Sequence, residues 1–336
     1  MINVGVIGYG YWGPNVARNF NETPGAKVTA ISDADAGSLA RAAQSYPGIR
    51  LERDCQGLLT SGNLDVIAIV TPVSSHYEIA KAALLNGKHI FIEKPFTAST
   101  SQAEELIELA AKNKLKIMVD HTFLFTGAVK KIKELIEGGI LGDLYYFDSI
   151  RVNLGLFQND VNVVWDLAPH DLSIMDYLID KDPVAVMATG VAHFNHGLED
   201  VAYITIYFPC NVIAHLNVNW LSPVKIRTTL IGGQKKMLVW NDLVNDEKIR
   251  VYDKGVEGME GTKEQSYGLR VNYRSGDMWA PRVNQVEALK GEAAYFIDCI
   301  ANDQVPQNNG EAGLRVVRLL EAIIKSLKQG GKLVRL

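Results

Sequence analysis

The apolar run INVGVI (residues 2–7) leads directly into Gly8-Tyr9-Gly10-Tyr11-Trp12-Gly13, and the stretch from about Pro14 to Phe20 reads as a helix. No other feature restricts the fold as strongly. In a strand that turns through G-x-G-x-x-G into a helix, the first glycine permits the tight turn and the second lets a pyrophosphate approach the backbone. The third lets helix and sheet pack closely, while the helix N-terminus attracts negative charge. Glycine-rich turns are common, so the context must decide. Here the second apolar run, KVTAIS (27–32), ends beside Asp33, where a carboxylate can accept hydrogen bonds from both adenosine ribose hydroxyls. The same carboxylate repels a 2′-phosphate, and SDADAG offers no lysine or arginine; Arg41 lies too far along the next helix to serve easily. NAD is therefore expected rather than NADP, held by Gly8, Tyr9, Gly10, Tyr11, Trp12, Gly13 and Asp33.

The pattern continues beyond the loop. Short, nearly uniform apolar runs, LDVIAIVTP (64–72), KHIFIEKP (88–95) and KIMVDHT (116–122), alternate with amphipathic helical stretches. Runs of that kind suit parallel strands covered on both faces, and their alternation with helices implies a doubly wound α/β sheet. TAST (97–100) supplies a cap before SQAEEL, and Gly87 stops the preceding helix. After about residue 122 the pattern changes. One helix and a strand-like run (143–155) precede β-rich segments at 184–194, 200–208, 211–220, 226–233 and 236–241, with turn signals between them. Such a series is an open, mainly antiparallel sheet. The expected architecture is α/β: a Rossmann dinucleotide-binding domain over 1–122, then an α+β substrate-binding and oligomerisation domain over 123–336. The last helices are expected to pack back toward the first domain.

Length supports two domains, since 336 residues exceed the usual single-domain size. A net charge of −4 with no basic block gives no reason to expect nucleic acid. Three cysteines, far apart and without C-x-x-C spacing, suit neither a disulfide framework nor a zinc site. The histidines of the sheet region (His193, His196, His215) show no ligand spacing, and no metal is expected. With no signal-peptide pattern and no long apolar run, a cytoplasmic protein off the membrane is expected.

Two further motifs carry chemistry. Glu93-Lys94-Pro95 ends a parallel strand, at the edge where open α/β sheets bind ligands. Asp166 and His170 in WDLAPHDLS are four residues apart, so a helix presents both on one face; Pro169 suits a first helical turn, where its missing N–H costs nothing. A neutral histidine is a suitable base near neutral pH. Each residue also has an ordinary alternative: Lys94 as a surface loop lysine, His170 as a cap or core histidine.

Taken together, VGVIGYGYWG, VTPVSSH (70–76), IEKP (92–95), the Asp166–His170 pair and the FIDCI…GEAGLRVVRLLEA tail resemble the Gfo/Idh/MocA family of sugar and inositol oxidoreductases over nearly the whole chain. The resemblance implies that Lys94, Asp166 and His170 surround the reacting carbon of a polyol or sugar beside the nicotinamide. His170 would take the hydroxyl proton, Lys94 would bind the reacting oxygen, and Asp166 would orient substrate or lysine; whether Lys94 or His170 takes the proton first stays open. It also implies that Thr71, Pro72, His76, Glu93 and Lys94 line the nicotinamide side, with His76 equally readable as a capping residue. His121, Arg151, Asn153 and Trp165 are substrate candidates. Arg151 is the candidate for an anionic group, against the default of an exposed strand arginine; FQNDVN (157–162) could also reach the substrate. LGLFQNDVNVVWDLAPHDLSIMDYL looks most like members that oxidise the ring 3-hydroxyl of a UDP-N-acetylhexosamine. Free-sugar or inositol oxidation, redox-neutral chemistry with recycled NAD, and a non-catalytic NAD sensor are the alternatives. The apolar strands AYITIYF and VIAHLNVNW suit an interface, and a homodimer or homotetramer through the second sheet is implied.

Overall fold

The structure is a computed structural model and describes residues 1–155, 157, 161–194, 197–258 and 271–336. The chain divides into two compact units: residues 1–126 with 286–321, and residues 127–285 with 322–336. His196 and positions 158–160 of the FQNDVN stretch lie outside the described residues.

The first unit is built on β1 (Ile2–Ile7), β2 (Ala26–Ser32), β3 (Arg50–Glu52), β4 (Val66–Ile69), β5 (His89–Glu93) and β6 (Ile117–Asp120), all paired in parallel in the order 3-2-1-4-5-6. The order reverses between β1 and β4, the position at which open α/β sheets bind ligands beyond their C-terminal edge. Every residue of β4 and β6 is buried, as uniform apolar runs require. The connecting helices are α1 (Gly13–Glu22), α2 (Ala36–Ser45), α3 (Gln56–Leu59), α4 (Val73–Leu85) and α5 (Thr100–Asn113). Their starts are set by side chains: Asp35 accepts from the Ser38 N–H and Ser99 from the Gln102 N–H. Gly87, at φ 71°, turns the chain out of α4.

Helix α8 (Ala288–Ala301), distant in sequence, belongs to this unit. Its Phe296 meets Phe91 of β5, which meets Phe20 of α1 edge-on at 5.1 Å between centroids. The loop after α8 closes the edge strand: Val119 N–H donates to the Asn308 carbonyl at 2.9 Å, and Asn308 Nδ2 returns a bond to the Val119 carbonyl at 2.7 Å. Helix α9 (Gly310–Lys328) begins in the first unit and ends in the second.

The second unit holds α6 (Gly127–Glu137), α7 (Val163–Leu178) and a nine-stranded sheet. Its strands are β7 (Leu144–Leu154), β8 (Ala185–Val191), β9 (Val201–Tyr207), β10 (Ile213–Asn219), β11 (Leu221–Gly233), β12 (Met237–Asn241), β13 (Ile249–Gly258), β14 (Val271–Trp279) and β15 (Val334–Arg335). They lie in the order 14-13-12-11-7-10-9-8-15, and every pairing is antiparallel except that of β10 with β7. Three of these strands were not expected from sequence: the two-residue β15, and β13 and β14, whose RVYDKGVEG and VNYRSGDMW carry charges and glycine where the other runs are apolar. One face of β7, β10 and β9 packs against α7 and is buried residue by residue in alternation. The other face carries Tyr203 and His215, whose rings stack at 6.5 Å, together with exposed Ile213 and Met187.

Arg151 of β7 ties α7 to the sheet. It is 5% exposed and donates from Nε and Nη2 to the two oxygens of Asp171 at 2.8 and 2.9 Å. Arg227 sits directly opposite Arg151 on β11, and Asp242 answers it at 3.4 Å. Burial and the like charge of Arg151 push the Arg227 guanidinium below its ordinary range. Arg151→Ala leaves Asp171 as a buried, uncompensated charge and is expected to destabilise the protein by about 3–5 kcal/mol in denaturant titration. The double replacement Arg151→Met with Asp171→Leu is expected to recover most of that loss; equal instability of the two would show that the charge pairing is not what matters.

Candidate active site

Unit one gathers the cofactor residues at the C-terminal edge of its sheet. Gly8 continues β1 through a bond from its N–H to the Ser32 carbonyl at 2.8 Å, and turns at φ 96°. A Cβ on Gly8 would lie 2.2 Å from the Val70 carbonyl oxygen, and one on Gly13 would lie 2.3 Å from the Gly8 oxygen. The protein's own packing therefore requires those two glycines. Gly10 is different: it is exposed, and a Cβ there meets nothing within 4 Å. The bare backbone at Gly10 fits a loop that admits a phosphate group from outside, ahead of the N-terminus of α1. Tyr9 is buried and Tyr11 exposed.

Asp33, partly buried, fixes this loop from β2: Oδ2 accepts the Tyr9 N–H at 2.6 Å and Oδ1 the Asp35 N–H at 2.8 Å. Each oxygen keeps a lone pair for a ribose hydroxyl. The structure corrects the placing of Arg41. Its guanidinium reaches back along α2 and donates to Ser38 Oγ at 3.0 Å and to the Tyr9 carbonyl at 3.4 Å, beside the glycine loop. Side chains on a helix lean toward its N-terminus, and arginine is long enough to cover the turn and a half involved.

Around Lys94 the unit is dense with titratable groups. Thr71 and Pro72 end the β4 segment, and Glu93 and Lys94, both partly buried, end β5. His76 is buried, and its two ring nitrogens lie 2.9 Å from the Pro95 carbonyl and 2.8 Å from the Thr71 carbonyl. It neither caps a helix nor has a nitrogen left for the nicotinamide, which corrects the expectation of direct contact. It braces the end of β4 against the loop after Lys94. Burial, and then the Lys94 charge, lower its pKa against the pull of the two carbonyls, so one ring N–H serves one of them. His121 is 2% exposed, neither ring nitrogen has a partner among the described residues, and burial with the Lys94 charge bring its pKa down to about 3. His121 is thus a buried, neutral imidazole beside Lys94.

Sequence inspection named Glu93 but missed the two acids beside it, Asp120 and Glu292. Burial and contact with Asp120 hold Glu93 and Glu292 well above the carboxylate range. No sequence signal links Glu292 to β5; only the packing of α8 does. A carboxyl protonated in the native state and ionised in the unfolded chain contributes stability that is full below the unfolded pKa and is lost as pH rises through the folded one. Glu292→Gln, a neutral isostere, should therefore gain stability relative to the parent as pH rises from about 4.5 to 8. Thermal melts across that range check it; a constant difference would mean Glu292 is ionised in the fold.

In the second unit Asp166 and His170 both lie on α7, partly buried on one face, with Ala168 and Pro169 buried between them. Asn162 caps the helix by accepting the Trp165 N–H at 3.1 Å, and its Nδ2 is held by Glu199 at 2.6 Å. Trp220 Nε1 donates to Asp166 Oδ2 at 3.1 Å and orients that carboxylate. Pro169 stands inside the helix, seven residues from its start, and not in the first turn as expected. It has no N–H for the Trp165 carbonyl, a local cost that packing of the buried ring offsets. Trp165 and Asn153 are partly buried. The Arg151 charge is met internally by Asp171, so Arg151 is neither the exposed strand arginine nor a cation left for a substrate anion.

A 3-2-1-4-5-6 parallel sheet, the glycine loop and Asp33 define a dinucleotide-binding protein of the Rossmann class. Residues 2–121 match the oxidoreductase family with an NAD-binding Rossmann fold, and residues 129–239 match the GFO/IDH/MocA C-terminal domain. The chain belongs to the Gfo/Idh/MocA family of oxidoreductases, and NAD is its cofactor. It is 25% identical to D-apiose dehydrogenase of Paraburkholderia graminis, over 97% of this chain and 87% of that one. It is 27% identical to UDP-N-acetylglucosamine 3-dehydrogenase of Acidithiobacillus ferrooxidans, over 94% of each. The solved structure of the latter superposes with a TM-score of 0.80, covering 98% of each chain at 25% identity. Levoglucosan dehydrogenase, solved with NADH and L-sorbose, shares the fold at a TM-score of 0.82 and 20% identity, covering 99% of this chain and 98% of that one. Among the described residues, no helix is long and apolar enough to cross a membrane.

Asp33→Ser removes the carboxylate that repels a 2′-phosphate and leaves Arg41 close by. The ratio of kcat/KM for NADP to that for NAD is expected to rise at least tenfold, on the scale of one charged hydrogen bond, and adding Arg41→Ala should cancel most of the gain. An unchanged ratio in Asp33→Ser would remove Asp33 from cofactor choice.

Proposed function

We propose that this enzyme oxidises a secondary hydroxyl of a sugar, and that Lys94, Asp166 and His170 do the acid–base work. NAD, held by the glycine loop and Asp33, would supply the hydride acceptor. His170 takes the hydroxyl proton, acting as the neutral base that pH near 7 allows. Lys94 donates a hydrogen bond to the reacting oxygen and stabilises the charge that grows there as the proton leaves. Asp166, steadied by the Trp220 indole, orients the substrate. The observation that carries this reading is Lys94 itself: a partly buried lysine at the C-terminal end of β5 in an NAD-binding sheet, with buried neutral His121 beside it.

For the substrate, the reading is a nucleotide sugar of the UDP-N-acetylhexosamine type, oxidised at its 3-hydroxyl. The match to the Acidithiobacillus enzyme across 94% of both chains supports it. The comparable match to D-apiose dehydrogenase favours a free sugar instead. NAD reduction with UDP-N-acetylglucosamine, D-apiose, glucose and myo-inositol separates the two: turnover of unphosphorylated sugars alone would overturn the nucleotide-sugar assignment. The exposed sheet face with Tyr203, His215, Ile213 and Met187 supports assembly as a homodimer or homotetramer, checked by light scattering.

Lys94→Ala and His170→Ala should each lower the chemical rate roughly 10²–10⁴-fold, the usual size of a lost acid–base contribution, with NADH affinity nearly kept. Normal single-turnover rates in both variants would take the two residues out of the mechanism.

A further inference from the structure

Acid–base chemistry at Lys94 gives no role to the acids that lie against it. Glu93 and Asp120 are neighbours in register at the ends of β5 and β6, and Glu292 of α8, fully buried, lies against Asp120. Three carboxyls packed together in a buried site cannot all be ionised, because like charges in contact repel strongly away from water. The hydrogen-bond donors around them decide which one carries the charge.

Two donors converge on Asp120, one on each oxygen: the Trp12 indole Nε1 at 3.2 Å and the Thr122 hydroxyl. Glu292 is served differently. Its Oε1 accepts from Asn308 Nδ2 at 2.9 Å, while Oε2 is buried with no donor among the described residues. Burial and the neighbouring Asp120 hold the Glu292 carboxyl well above its ordinary range, against the pull of the Thr122 hydroxyl. The Glu93 carboxyl, also against Asp120, is pushed up by burial and by Asp120, with the Lys94 charge pulling it the other way.

Trp12 links this arrangement to the cofactor. It precedes Gly13 in the glycine loop and occupies the N-cap position of α1, yet its side chain caps nothing there. The indole N–H is directed at Asp120 instead, 108 residues away in sequence. We propose that Asp120 is a positioning residue for the dinucleotide: its Oδ2 accepts from the Trp12 indole and so holds the glycine loop in the shape that receives the cofactor's phosphates.

NADH titration of the full-length protein, followed by fluorescence, tests this. Trp12→Phe keeps an aromatic ring but loses the N–H together with part of the indole, so its effect is read against Asp120→Asn, which leaves the indole and its packing in place. Loss of a bond to a charged acceptor should raise the NADH Kd roughly three- to thirtyfold. Asp120→Asn should weaken binding to a similar degree. The double variant should be no weaker than the worse single one, since both break one bond. Glu292→Gln should bind NADH within twofold of the parent. The proposal is overturned if Trp12→Phe binds NADH normally, or if the two single effects simply add. It is also overturned if Glu292→Gln weakens NADH as much as Asp120→Asn, because the effect would then belong to the packed cluster and not to the Trp12–Asp120 bond. Should Asp120→Asn fail to fold, Trp12→Phe and Glu292→Gln decide the matter.

Discussion

Parallel pairing in one register is the constraint on which the rest of the cofactor unit depends. All six strands point the same way, so their C-terminal ends form one edge, and the order reversal between β1 and β4 opens that edge to a ligand. Gly8, Asp33, Thr71, Lys94 and His121 are spread over more than a hundred residues of chain. They reach the same rim because each follows a strand that ends there. Their proximity is a product of hydrogen-bond register and not of any local preference. A one-residue slip in β5 would turn Lys94 to the opposite face of the sheet.

The two units handle buried charge in opposite ways. Around Arg151 the charge stays: two arginines stand opposite each other on β7 and β11, and two aspartates answer them, Asp171 in bidentate geometry. Around Asp120 burial works against charge: it lifts the Glu93 and Glu292 carboxyls well above their ordinary range and leaves His121 neutral. The difference follows from partner type. Arginine cannot give up its proton in a protein and must be paired, whereas carboxyls and imidazoles can neutralise themselves when burial makes charge costly. The first solution fixes a helix on a sheet; the second leaves beside Lys94 a polar, largely neutral surround in which Lys94 is the principal cation.

Much of the molecule was legible from sequence where local pattern and tertiary role coincide. The glycine loop could be read because Gly8 and Gly13 answer backbone sterics and Gly10 answers nothing inside the protein. The parallel strands could be read because burial on both faces demands uniform apolar runs. Legibility failed where a residue's partner lies far away. β13 and β14 carry polar, glycine-containing sequences and count as strands only because β12 offers them an edge. Arg41 looked remote because spacing along a helix says nothing of how far a long side chain folds back. Pro169 was assigned to a first turn by the general rule, while the fold starts α7 earlier and accepts the missing bond. His76 looked like a ligand or a cap and is a brace between two loops.

What the sequence determined by itself is the class of fold and the kinds of chemistry present: an α/β dinucleotide unit, an antiparallel sheet, a lysine at a strand end, an acid and a histidine one helical turn apart. Those follow from short-range rules, the period of two or 3.6 and the steric needs of glycine, which act within a few residues. Tertiary structure alone decided which polar groups share a proton or a charge. Arg151 is spoken for because Asp171 comes up beside it, and the Glu292 carboxyl is held well above its ordinary range because α8 buries it against Asp120. Ionisation depends on distance and on the exclusion of water, and neither exists until the chain has folded.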